Sequence, residues 1–380
     1  MTAAARSGGS NPFVYSRPLA AEDVIDREPE TERLLALAAG GHYVRLYAPR
    51  RYGKTSLLLK ALDEAERRAQ MVPVLVDLYG ILSLADVTVR IERAYAAQLK
   101  GKLRELADRF LAATGLGLSL GAYGISVQLQ IDRKLDPLPS LHALLDLPLR
   151  LADGRKRRAL IVFDEFQDVT KVEQLEAVLR AHIQYQGGCA AYVFSGSEPG
   201  LMRQLFETKA KPLYGQAEPL RLTRLDASDL VDEIVRRFGA TNRGVGDVLA
   251  QLLATARGHP QRAMLLANRL WDEVAAGTSA NNEQWVAALA RTKLEAAPEF
   301  DALWKSLSLV EQKTIRAIEE TGGSLYRPRT LQRLRLAKAS AQTAVRNLTE
   351  RAHVERLGGR FEFVDPLFPL WVHDLRERGE

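Results

Sequence analysis

The run Tyr43-Val44-Arg45-Leu46-Tyr47 is short, apolar and β-rich, and it leads through Ala48-Pro49-Arg50-Arg51-Tyr52-Gly53-Lys54-Thr55 into the helical pattern SLLLKALDEAE. A strand, a tight Gly-Lys-Thr loop and a helix in immediate succession constrain the fold more than any other feature of the chain. Such a loop serves phosphate binding. Its backbone N–H groups converge at a helix N-terminus, where the helix dipole favours an anion. Gly53 allows close approach to the phosphates, Lys54 reaches the β- and γ-phosphates, and the Thr55 hydroxyl holds Mg²⁺. Pro49, Arg50, Arg51 and Tyr52 complete the loop and Ser56 follows it. The pattern departs from G-x-x-x-x-G-K-[ST] at Ala48, which matters only if that position needs a positive φ. A chance Gly-Lys-Thr at a helix start is the competing reading, and the flanking strand and helix argue against it.

Four more runs of strand length follow: Val72–Asp77, Ala159–Phe163, Ala190–Ser195 and Leu220–Thr223, mostly with a helical pattern behind each. Strands alternating with helices predict an α/β fold with a parallel sheet covered on both faces. Asp26–Glu30 reads as a helix start, with acids in the first turn and Pro29 at an early position. Residues 115–131, GLGLSLGAYGISVQLQI, alternate and carry glycines, which predicts a β-hairpin insertion. After Leu225 the β signal stops. Asp226–Phe238, Val245–Arg257, Pro260–Ala275 and Glu283–Ala296 read as four helices. Leu309–Glu319, Thr330–Leu336 and Ser340–Ala352 read as three more, followed by two alternating runs around Gly358-Gly359, the winged-helix order.

Composition excludes several classes. A chain of 380 residues, 46% hydrophobic and 26% charged, can bury a real core in two to three domains. The single cysteine, Cys189, excludes a disulfide framework and a Cys-based zinc cluster, and reads as inert packing. His42, His142, His182, His353 and His373 lack metal-ligand spacing, and Trp271, Trp285, Trp304 and Trp371 read as core. No run approaches the ~18 apolar residues of a membrane span and the N-terminal residues lack an apolar signal core, so no membrane partner and a cytoplasmic location are expected.

The strand Leu160–Phe163 ends in Asp164-Glu165. Asp164 is expected to serve the Mg²⁺ and Glu165 to orient and deprotonate an attacking water. Two acids at a strand end can also cap a helix; a phosphate loop about 110 residues upstream favours the catalytic reading. Ala190–Phe194 ends in Ser195-Gly196-Ser197, and either serine would face the γ-phosphate if this strand lies beside the acidic one. Serines at this place serve equally to turn the chain, so both readings stay open.

With these residues in order, the chain resembles the archaeal-type ATPase family, on the STAND side of the AAA+ P-loop ATPases. The resemblance rests on Phe13, Asp26-Arg27-Glu28, Pro49–Ser56, Asp164-Glu165-Phe166-Gln167, Ser195-Gly196-Ser197, Leu213-Tyr214-Gly215 and Asp365-Pro366-Leu367-Phe368. It implies a P-loop NTPase core with a five-stranded parallel sheet, a helical lid and a C-terminal winged helix. The implied divisions are an N-terminal arm (1–28) contributing to the nucleotide pocket, the core (29–225), the lid (226–297) and the winged helix (298–380). It places the nucleotide between core and lid, with Phe13, Ile25 and Arg27 near the adenine. Gly258-His259-Pro260-Gln261-Arg262 resembles the family's Gly-x-Pro element, which makes Pro260 a nucleotide contact and Arg262 a γ-phosphate reader; a lid-surface arginine is the alternative. ATP and ADP are the implied ligands, with Mg²⁺. The chain has Gln216 where the family often has arginine, so slow basal turnover is expected.

Ser324–Arg360 carries nine cations against two acids, +7 locally, more than the +6 of the whole chain. In a winged helix the third helix enters the major groove and the wing follows the backbone. That nominates Gln342, Thr343, Arg346 and Asn347 on the reading helix, Arg327 and Arg329 before it, and Arg356 and Arg360 on the wing, as contacts to double-stranded DNA. The expected function is a Mg²⁺-dependent ATPase coupling nucleotide state to a DNA-binding winged helix. The alternative is a nucleotide-gated scaffold that forms homo-oligomers or binds a protein partner with little turnover.

Overall fold

The structure, a computed structural model, describes residues 10–68, 71–114, 116, 119–120, 136–152 and 158–378. The chain divides into two compact units. The α/β unit takes Ala20–Arg50 and Lys54–Leu222; the helical unit takes residues before Ala20, Arg51–Gly53 and Thr223–Glu380.

In the α/β unit, α1 (Glu28–Ala39) precedes β1 (Val44–Tyr47), and α2 (Lys54–Arg67) separates β1 from β2 (Val72–Asp77). Pro29 lies in the first turn of α1, where the sequence places a helix start. Next come α3 (Leu84–Gln98), α4 (Gly101–Ala113) and α5 (Leu138–Ala152), and then β3 (Ala159–Asp164). After α6 (Leu175–Ile183), β4 (Ala190–Gly196), α7 (Pro199–Glu207) and β5 (Glu218–Arg221) complete the unit. The expected hairpin over 115–131 falls almost wholly outside the described residues.

The five strands form one parallel sheet in the order β2-β3-β4-β1-β5. Every residue of β3 and β4 is buried, as their unbroken apolar runs predict for central strands. On β5 only Leu220 is buried, so this edge strand begins two residues before its apolar signal. The pairing sets Phe163 opposite Phe194 and Tyr47 opposite Gly196. The loop after β1, the acids ending β3 and the hydroxyls ending β4 therefore leave the same sheet edge, the usual place for a ligand in such sheets. Phe166, fully buried, packs against Phe194 and Phe206 at centroid distances of 4.6 and 5.8 Å. Burying a ring of this size contributes on the order of 1.5–3 kcal/mol, which fixes the turn behind the acids to the core.

The helical unit begins with α8 (Ala227–Ala240), α9 (Leu249–Ala256) and α10 (Pro260–Glu273). The 25-residue α11 (Asn282–Ser306) starts from a capping box between Asn281 and Gln284. It runs past the expected end at Ala296 and through Pro298, because Ala296 and Phe300 keep its buried face on the core. Residues 297 and 298 thus lie inside a continuous helix. A second capping box, Ser308 with Glu311, opens α12 (Leu309–Glu320). It is followed by α13 (Pro328–Arg333) and α14 (Lys338–Glu350), then by β6 (Val354–Leu357) and β7 (Arg360–Phe363), paired antiparallel, and finally by α15 (Phe368–Glu377). Gly358 and Gly359 both take positive φ, 53° and 82°, as a two-residue hairpin turn requires. Three helices and a hairpin stand in winged-helix order around Ile315, Leu348, Val354, Phe363 and Phe368. Among the described residues, no helix is long and apolar enough to cross a membrane.

Candidate functional site

β1 hands the chain to the loop, and α2 starts at Lys54, so the loop sits at a helix N-terminus. Positive φ falls at Arg51 (67°) and Gly53 (84°), not at Ala48, so alanine in place of the first glycine strains nothing. A Cβ on Gly53 would meet no atom within 4 Å, which leaves that face of the loop open. Lys54 is 5% exposed and its Nζ donates to the Ala48 and Pro49 carbonyls, 3.1 Å each. Burial draws its ammonium down to about 8, against the opposing pull of Glu165 and Asp164.

The Thr55 hydroxyl donates to Asp164 Oδ2 at 3.1 Å, joining the loop to the end of β3. Asp164 Oδ1 accepts from the Glu165 amide at 3.0 Å. Burial pushes the Asp164 carboxyl up, while the Glu165 amide pulls it down. Glu165 has left-handed backbone, φ 49°, and a 3-10 turn over Phe166–Lys171 follows. Its Oε2 accepts from Ser197 Oγ at 2.6 Å and from Gln167 Nε2 at 2.5 Å. Ser195 and Ser197, both buried, thus lie beside the acidic strand, and Ser197 touches the candidate base. Among the described residues no group of three or more His, Cys, Asp or Glu could cage a metal. The Thr55–Asp164 pair is an oxygen donor set of the sparse kind Mg²⁺ takes beside phosphates.

Other expected contacts are distributed differently. Ser56 is buried in the first turn of α2 and Arg50 is exposed, 4.0 Å from Glu198. Ile25 and Arg27 are buried in the α/β unit, with Arg27 pairing to Glu30 at 2.7 Å. In the helical unit, Phe13 packs on Phe238 at 5.1 Å and its carbonyl accepts from Asn268 Nδ2 at 2.8 Å. Arg51 pairs with Glu299 at 2.8 Å, and the buried Tyr52 lies edge-on to His259 and donates to Glu355 Oε1 at 3.3 Å. Pro260 opens α10, and Arg262 is buried, its Nε donating to both Asp365 oxygens at 3.1 and 2.9 Å. Its charge is therefore held by a carboxylate of this chain. No motif in the sequence points to a role for Gln167, Glu299 or Asp365, although Gln167 and Asp365 stand in runs that carry the family resemblance.

The basic block is exposed on α13, α14 and the hairpin: Arg327, Arg329, Gln342, Thr343, Arg346, Asn347, Arg356 and Arg360 all face solvent. Arg333 pairs with Glu320 and Arg351 with Glu311. Among the described residues the other seven cations of the block have no carboxylate partner.

No family model matches the chain, and no curated protein matches it. Solved structures do. A Walker-type ATPase of Pyrococcus abyssi superposes with a TM-score of 0.70 at 19% identity, covering 94% of this chain and 99% of that one. The ORC2 protein of Aeropyrum pernix, in ADPNP–ADP complexes, gives 0.60 at 16% identity over 97% and 98%. Its ADP form gives 0.52 at 17% identity over 96% of each. At these identities the likeness, with the five-stranded parallel sheet, shows the fold: a P-loop NTPase architecture of the AAA+ type.

Proposed function

We propose that this protein is a Mg²⁺-dependent ATPase whose nucleotide state is coupled to a DNA-binding winged helix. The observation that carries the reading is the Thr55–Asp164 contact, which brings the phosphate loop and the acidic strand end together beside Lys54 and Glu165. Loop amides and the Lys54 ammonium bind the β- and γ-phosphates. Thr55 and Asp164 would hold Mg²⁺, which neutralises phosphate charge when bound. Glu165 takes the proton of the attacking water, with Ser195 and Ser197 beside it. Phe13, Ile25 and Arg27 in the arm, and Pro260 in the lid, are the proposed nucleotide contacts carried by the family resemblance. Residues 226–297 and 298–380 are the proposed lid and winged helix.

Seven exposed cations without carboxylate partners favour a polyanion over a protein surface, and double-stranded DNA fits the element order. The test is phosphate release from ATP with Mg²⁺, comparing wild type with Glu165→Gln, with and without duplex DNA. Turnover should rise with DNA and fall by a factor on the order of 10²–10⁴ in the variant, with nucleotide affinity kept.

One observation favours the second reading. Arg262 is held by Asp365 and Glu299, which leaves the γ-phosphate without that arginine unless the pair opens. Tight nucleotide binding, nucleotide-dependent oligomer mass and no turnover would identify a nucleotide-gated scaffold instead.

A further inference from the structure

We propose that Gln167 is a positioning residue: its carboxamide holds the Glu165 carboxylate and the Ser197 end of β4 as one unit, aiming Glu165 at the attacking water. This rests on the ATPase reading above. Glu165 sits in the left-handed region, where a non-glycine residue is uncommon and local sequence does not dictate where the side chain goes. Something else must aim the carboxylate, and Gln167 is in place to do it.

The Gln167 side chain is 2% exposed and every polar atom of it is used. Nε2 donates to Glu165 Oε2 at 2.5 Å and to Ser197 Oγ at 3.3 Å, while Oε1 accepts from the Ser197 amide at 3.2 Å. The reverse amide orientation would set an oxygen against the carboxylate and an NH₂ against an N–H, so the network fixes it. Ser197 Oγ closes the ring by donating to the same Glu165 oxygen at 2.6 Å. The strand leaves room for this amide. A Cβ on Gly196 would stand 2.9 Å from Gln167 Oε1 and 2.4 Å from Met202 Sδ, so the glycine between the two serines is the residue that fits. Phe166, buried against Phe194 and Phe206, pins the turn on which Gln167 stands.

Glu165 Oε2 takes both bonds, and no hydrogen bond to Oε1 is formed among the described residues. One oxygen is thus anchored and the other is left to receive a proton. A base contributes only when it lies within hydrogen-bond reach of the proton it removes, so anchoring one oxygen is worth turnover rather than affinity.

The discriminating variant is Gln167→Glu. It keeps the volume, an oxygen to accept from the Ser197 amide and one that can accept from the Ser197 hydroxyl, and it removes the donor to Glu165 together with the long 3.3 Å donation to Ser197 Oγ. A purely structural role for Gln167 at the strand end would survive it. Positioning would not: kcat should fall about tenfold or more while KM and the ATP dissociation constant stay within about threefold. A thermal-melting cycle with Glu165→Gln reads the contact without turnover. Gln167→Glu alone should lower the midpoint by juxtaposing two carboxylates. The double variant should recover it, because the amide now stands at position 165 and the acid at 167. Wild-type or raised kcat in Gln167→Glu, or melting losses that add, would overturn the inference while leaving a Glu165-dependent ATPase intact. Absence of phosphate release in the wild type would overturn the ATPase reading and the positioning role with it, and the melting cycle would still decide whether Gln167 holds Glu165.

Discussion

The proposed phosphate-binding end of the sheet and the basic face of the helical unit are both charged, yet they are built on opposite plans. At the sheet end, Lys54, Asp164 and Glu165 each have named partners: two carbonyls, a hydroxyl with an amide, and a hydroxyl with a carboxamide. On the basic face, seven of nine cations stand exposed with no carboxylate partner among the described residues. A buried, bonded charge acts through its position, because burial makes each misplaced or unpaired group costly. An exposed charge acts through the field it adds to, screened by salt and indifferent to small displacements. Single substitutions should therefore be severe and specific at the first region, mild and interchangeable at the second.

The strongest way to break that contrast is Lys54→Ala. The side chain crosses back over its own loop to the Ala48 and Pro49 carbonyls, and it is the ammonium proposed to bind the phosphates. A hydrogen bond to a charged group is worth ~1.5–3 kcal/mol, so ATP affinity measured by calorimetry should fall roughly 10- to 100-fold. Unchanged affinity would remove the phosphate site from this loop.

How much of this was readable in advance follows the same division. The sheet was legible because β3 and β4 are buried on both faces and write their burial as unbroken apolar runs. The edge strand β5 was misplaced by two residues because only Leu220 on it is buried. α11 runs ten residues beyond its expected end at Ala296, through Pro298, a residue that ends helices in isolation and here sits between buried Ala296 and Phe300. In the site, Lys54, Thr55, Asp164 and Glu165 lie in motifs that demand those residue types. Gln167 carries no such mark: its role follows from the left-handed turn at Glu165 and from a strand end 30 residues away. The partner of Arg262 is 103 residues downstream, beyond any local pattern. Local chemistry is written locally, and long-range partners are not.

The basic face gives the next test. Arg346 on α14 and Arg360 at the hairpin stand in different elements, yet if the face works as a field their alanine variants should behave alike. Each should weaken duplex binding a few-fold, on the order of threefold at low salt, and each should reduce the slope of log affinity against log salt by about one. Fluorescence anisotropy over a salt series reads both quantities. If Arg346→Ala abolished binding at every salt, or relaxed discrimination between sequences without changing the slope, α14 would be reading bases through geometry. The two regions would then share one plan.

The smallest effect is a pH dependence, and it has two opposite signs. In the free protein burial holds the Lys54 ammonium near 8, below the 10.5 of an exposed lysine. Between these values the unfolded chain binds the proton that the folded chain has released, so this residue alone makes folding stability rise with pH. Bound phosphate favours the charged form and raises the lysine again, so binding takes up a proton in the same interval and affinity falls as pH rises through 8. With half of Lys54 deprotonated at its midpoint, the loss there is about twofold, steepening toward tenfold per unit above it. Calorimetry at pH 8.5 in buffers of different ionisation enthalpy should detect the uptake of a fraction of a proton, and Lys54→Ala should abolish it. Proton release, or uptake that persists in the variant, would mean that Lys54 is already charged in the free loop, and burial at the sheet end would then count for no more than exposure does on the basic face.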